Sequence, residues 1–179
     1  FSRRAMIHRM NGDLSNDFGN LSQRVLSMIF KNCSGVMPAL PATAAPEDSA
    51  LLDAADAMLG KVRAQMDVQS FHEALRCIWE VVSDANKYVD TTAPWGLKKT
   101  DPVRMGEVLA VLAETIRQAA ILVQPVMPGS ASKILDQLGV ADGQRGFDML
   151  AGARRIAGGV EISKPCLLYT SDAADESVC

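Results

Sequence analysis

Aromatic side chains are scarce in this chain. Two Trp, two Tyr and five Phe make up 5% of 179 residues, beside plentiful Ala, Leu, Val and Met, a balance that favours helices over a β-sandwich. Long apolar runs are missing as well. No window reaches the ~18 uninterrupted apolar residues that a membrane span needs, and the best candidate, 108–126, is interrupted by Glu114, Arg117 and Gln118. There are two histidines, His8 and His72, without the spacing of metal ligands, and His72-Glu73 is not the Glu-x-x-His pair of a di-iron bundle. Neither GxGxxG nor GxxxxGK[ST] occurs, so no phosphate loop is present. No Ser or Cys has a local partner that would activate it. Catalytic, metal and cofactor sites are therefore not expected on these residues.

Charge of one sign is also missing over most of the length. The net charge is −3, and Asp172, Asp175 and Glu176 in the last stretch, 166–179, account for it. The remaining chain is neutral and has no bulk field to attract nucleic acid. Any RNA contact must be local. One local bias exists: Arg3, Arg4, Arg9, Arg24 and Lys31 stand against Asp13 and Asp17 in the first 32 residues.

The stretch 166–179 departs from the composition before it and resembles the out-of-frame translation of a sequencing adapter. It is expected to be extraneous, leaving one domain over 1–165. Cys166 and Cys179 leave with it. Cys33 and Cys77 form no CxxC and read as buried or idle thiols of a reducing, cytoplasmic compartment. The start, Phe1-Ser2-Arg3-Arg4, has no initiator Met and no apolar region of a signal peptide. Both ends read as cut.

Five helices are predicted. The first spans 2–32, with Ile7, Met10, Leu14, Phe18, Leu21, Val25 and Met28 spaced by three or four along one face. The second spans 46–66, with Pro46 suited to its first position and Glu47 and Asp48 to its positive end. The third spans 68–91 and is ended by Pro94. Its core face includes Trp79. The fourth opens at Thr100-Asp101-Pro102, a cap followed by Pro, and carries Val108 to Val123 on one apolar side. The fifth spans 129–138 and stops at Gly139. The stretch 147–162 is glycine-rich and predicted irregular. This is an all-α antiparallel bundle of four to five helices.

Two polar features stand out. Asn16, Asn20 and Arg24 recur every four residues, on nearly one helix face. Arg can donate to the O2 and N3 acceptors of cytosine, and an Asn carbonyl can accept from its N4 amine. The same residues would serve equally to bond neighbouring helices. The second feature is Ala93-Pro94-Trp95-Gly96. Splayed bases stack on exposed rings, each worth ~1–3 kcal/mol. Lys87, Lys98 and Lys99 lie near enough in sequence to meet phosphates. The alternative is that Trp95 folds back as a core plug.

Joined, these pieces resemble the anticodon-binding domain of the methionyl-tRNA synthetases, which are class I aminoacyl-tRNA synthetases. The resemblance covers about 1–165. It is carried by Asn11-Gly12-Asp13-Leu14-Ser15-Asn16-Asp17 with Gly19-Asn20-Leu21 and Arg24. Asn86-Lys87-Tyr88-Val89-Asp90 with Ala93-Pro94-Trp95 follows, then Leu122-Val123-Gln124-Pro125-Val126-Met127-Pro128. The family pattern has Ala where Gly12 stands.

The resemblance implies recognition of a CAU anticodon. The wobble cytosine would lie against Pro94-Trp95 and bond with Asn20 and Arg24, with Asn16 as a weaker candidate. It implies tRNA and the protein's own catalytic domain as partners, and neither DNA nor a membrane. It also implies that the ATP site, and any zinc-bearing insertion, would lie upstream of Phe1. Related class I enzymes for valine, leucine, isoleucine or cysteine share the bundle, and a helical protein-interaction module is the reading without RNA.

Overall fold

The computed structural model describes residues 17–150 and 154–165. A single π-helical turn at 17–19 leads into α1, Asn20–Asn32. Then follow α2, Pro46–Asp67, and α3, Phe71–Thr92. A short α4, Pro94–Thr100, leads to α5, Pro102–Val123, and α6, Pro128–Gln137. Among the described residues there are thus five helices of ten residues or more and one of seven. No strand is present among them, only an isolated bridge between Val36 and Glu161. The expected all-α bundle is observed.

Helix α5 is the axis of the molecule, in contact with α1, α2, α3, α4 and α6. Every residue from Val108 to Val123 is buried. The sequence predicted one apolar side, broken by Glu114, Arg117 and Gln118. These three are instead buried within the bundle and satisfied. Glu114 accepts from Arg117 at 2.8 and 2.9 Å, from Gln118 at 2.9 Å and from the Ile156 amide at 2.8 Å. Gln118 and Arg155 also donate to Asp56, at 2.8 Å and at 2.6 Å twice. A buried charge survives only when paired and hydrogen-bonded, and this network meets both conditions.

Helix boundaries differ from the predictions where the backbone turns left-handed. Helix α2 runs to Asp67 and α3 begins at Phe71, because Gln69 between them has φ 56°. The largest difference lies at Pro94. It does not simply follow the end of α3. Ala93 adopts φ 42°, ψ 58°, and Pro94 then starts a new helix, α4, as its first residue. Proline's fixed φ and missing N–H suit it to that position. The predicted first helix is seen from Asn20, and its part at 1–16 lies outside the described residues, as does the stretch 166–179. Trp79 is core-facing as expected, tilted against Phe18 with ring centroids 6.5 Å apart.

Candidate nucleic-acid interface

Helix α1 presents Asn20 and Arg24 one turn apart, both exposed. Their face lies beside the C-terminal half of α3. Arg24 Nη2 ties α1 to α3 by donating to Asp90 at 2.9 Å, and Asn86 of α3 donates to the Asp17 carbonyl in the π-helical turn before α1 at 3.4 Å. Asn20, Gln23, Arg24, Ser27 and Asn86 line an open groove of about 400 Å³. Its walls supply amides, a hydroxyl and a guanidinium, the groups that match the donor and acceptor edge of a planar base.

Trp95 stands next to this groove, on the first turn of α4. The residue is 53% exposed, so it is not a core plug. The Arg24 guanidinium lies over the ring, 5.8 Å from its centroid, within the range of a cation–π contact. Arg24 thus joins the groove to the ring, and Asp90 holds it with one bond of a five-donor fork. Pro94 is buried beneath, while Gly96 faces open space.

Of the other expected residues, Lys98 and Lys99 are exposed in the last turn of α4. Lys87 is exposed but paired with Asp84 at 2.9 Å. Asn16 lies outside the described residues. Sequence reasoning missed Gln23, Ser27 and Asn86 as lining residues, and Asp90 as the partner of Arg24. A signal existed: Asn86 and Asp90 repeat on α3 the four-residue spacing of Asn20 and Arg24 on α1.

Behind the rim lies a second cluster. Asp48, near the start of α2, is fully buried. It accepts from the Tyr88 phenol at 2.6 Å and from Arg104 at 2.5 and 2.7 Å. Burial pushes the Asp48 carboxyl up, but the bonds from Arg104 and Tyr88 outweigh it and hold the carboxyl below its ordinary value. Burial, reinforced by the neighbouring Asp48 carboxylate, raises the Tyr88 phenol far above its ordinary value. The bond to Asp48 raises Arg104 further, against its partial burial. All three therefore keep one protonation state across the neutral range.

Among the described residues, no group of three or more His, Cys, Asp or Glu is placed to hold a metal ion. No helix there is long and apolar enough to cross a membrane. The family model for the anticodon binding domain of methionyl tRNA ligase matches residues 38–178. The chain belongs to this family.

Pro94 and Trp95 fall inside the matched span, whereas Asn20 and Arg24 precede it. Whole relatives extend the likeness over α1. The methionine–tRNA ligase of Brucella suis is 49% identical over 166 residues, which is 92% of this chain and 32% of that protein. That of Rhizobium meliloti is 44% identical over 177 residues, 99% of this chain and 34% of that protein. The apo methionyl-tRNA synthetase of Mycobacterium tuberculosis superposes with a TM-score of 0.89 at 42% identity, covering 95% of this chain and 34% of that one. The same synthetase in complex with methionyl-adenylate gives 0.89 at 44% identity, covering 94% and 33%. The chain spans about a third of the length of the curated relatives it matches. The fold and the family expected from the sequence are thus both met, and the methionyl family is separated from the other class I enzymes that share the bundle.

Proposed function

We propose that this domain reads the CAU anticodon of a tRNA. On this reading the wobble cytosine leaves its stack and lies against Trp95. Arg24 donates to the cytosine O2 and N3, and the Asn20 carbonyl accepts from N4. Uracil presents a carbonyl in place of the N4 amine and a donor at N3, so the bonds at N3 and N4 fail and only the one to O2 survives. Lys98 and Lys99 meet backbone phosphates. Lys87 joins them once it leaves Asp84. The observation that carries the reading is the Arg24 guanidinium over the exposed Trp95 ring, with Asn20 one turn away on the same groove.

The attachment of methionine to tRNA with ATP belongs to the two-thirds of the relatives' length that this chain does not match. The described residues offer neither a metal cluster nor a glycine-rich phosphate turn, and no step of that chemistry is assigned to them. The remaining two-thirds, as a catalytic domain, is the domain's second partner, and a cytoplasmic location accords with both. The test is a titration of the chain with anticodon stem-loops carrying CAU and UAU at fixed low salt. Tighter binding to CAU supports base reading. Equal, salt-sensitive binding would reduce the interface to phosphate contact and overturn it. Should neither bind, the titration is repeated with the chain joined to the upstream part of a relative, where the same preference is required.

A further inference from the structure

Helix α4 has few means of its own to hold an orientation. Seven residues are too few for a self-supporting helix. Trp95 is exposed and Gly96 faces open space. Only Pro94 and Leu97 reach the interior. The pose of α4 must therefore be set largely by the helix ends on either side of it.

Both ends converge on one carboxylate. On the upstream side, Tyr88 in the last two turns of α3 donates to Asp48 at 2.6 Å. The Tyr88 carbonyl in turn accepts from Thr92 at 2.7 Å, immediately before the left-handed Ala93. On the downstream side, Arg104 in the first turn of α5 forks onto both Asp48 oxygens. Its amide is capped by Asp101 at 3.0 Å, the residue that follows α4. Asp48 itself is fixed in α2, where it accepts from the Ala45 amide at 3.3 Å. One buried side chain thus holds both flanks of the segment that carries Trp95. An apolar contact would bury as much surface, but directional bonds fix the two flanks relative to each other.

We propose that Asp48 is a positioning residue for Trp95, acting through Tyr88 and Arg104 so that the ring stands beside Arg24. The consequence for RNA rests on the reading that a base stacks on Trp95. The placement of the ring does not.

The test uses the full chain labelled with 5-fluorotryptophan. With two tryptophans the fluorine spectrum has two resonances, assigned by Trp95→Phe. Tyr88→Phe deletes only the phenol oxygen, Asp48→Asn keeps the side-chain shape, and Arg104→Lys keeps the charge but loses the fork. Each is expected to shift or broaden the Trp95 resonance while that of Trp79 stays in place. Affinity for the CAU stem-loop should fall roughly two- to tenfold, as for loss of one or two buried hydrogen bonds, and the loss should vanish in a Trp95→Ala background. A folded Tyr88→Phe chain with an unchanged Trp95 resonance would overturn the proposal. So would an affinity loss of equal size with and without the Trp95 ring. If Trp95→Ala itself leaves affinity unchanged, the stacking reading fails, and the fluorine spectrum alone still decides the placement. Should Asp48→Asn not fold, Tyr88→Phe is judged by the same two readouts.

Discussion

The network around Glu114 and the rim around Arg24 contain the same chemical types, a carboxylate, a guanidinium and amides, in opposite surroundings. Glu114 is fully buried and Arg117 almost so, and their capacity is taken up by Gln118, Ile156 and Arg154. Arg24 and Asp90 expose 43% and 65% of their side chains, and Arg24 lines an open groove. Among the described residues, no buried side-chain nitrogen or oxygen lacks a partner. Polar side-chain atoms turned inward here each have a partner. At the rim, the remaining donors and acceptors face solvent beside an exposed ring. In this bundle, unspent hydrogen-bonding capacity marks the proposed recognition surface more clearly than polarity does.

The sharpest way to break this contrast is to remove one member from each cluster. Glu114→Ala leaves Arg117 buried without its carboxylate, and a loss of about 3–5 kcal/mol of stability is expected. Urea unfolding measures it, and stem-loop affinity per folded molecule should not change. Trp95→Ala is the mirror case, with about 1–3 kcal/mol lost from stem-loop binding and an unchanged melting temperature. Unfolding instead would place Trp95 in the core and erase the contrast. Arg24→Ala should remove the preference for CAU over UAU, with about 1.5 kcal/mol for a charged hydrogen bond, and parallel titrations of the two loops would show it.

A fourth prediction concerns acid. The carboxyl of Asp48 is lowered in the folded chain, so its contribution is present above the ordinary value of 3.8. It is lost as pH falls through the lower folded value. Stability should therefore drop as the pH is taken below about 4, and Asp48→Asn should flatten that part of the profile. The smallest effect is expected for Lys87→Ala. Its exposed pair with Asp84 contributes about 0–1 kcal/mol to stability. If Lys87 meets a phosphate in the complex, the salt dependence of binding should lose about one unit of slope.

Much of this was legible in the sequence, for identifiable reasons. Spacing by three and four marked α1, α2, α3 and α5, and the four-residue step from Asn20 to Arg24 placed those two on one face. Local rules could not anticipate α4, because Pro94 serves equally to end a helix and to begin one, and the left-handed turn fell on Ala93, which carries no signal for it. Nor could they anticipate the interior of α5. Glu114, Arg117 and Gln118 look like interruptions until Asp56, Arg154 and Arg155 arrive from distant parts of the chain. Trp95 was ambiguous for a related reason: whether a ring is exposed depends on the pose of the segment that carries it.

The pairing of residues 35–37 with 159–162 has a consequence for the order of assembly. Met37 donates to Val160, Gly159 to Met37 and Ile162 to Gly35, each at 2.8 Å. Gly139, at φ 72°, admits this strap, since a Cβ there would lie 2.9 Å from the Glu161 carbonyl. These contacts join segments more than a hundred residues apart, and the entropic cost of closing them falls once the helices between them have condensed. On these grounds the strap is expected to close late rather than to act as a nucleus. Hydrogen exchange at the Met37 and Ile162 amides should accordingly run ahead of exchange in the middle of α5, reporting an opening that the bundle itself survives.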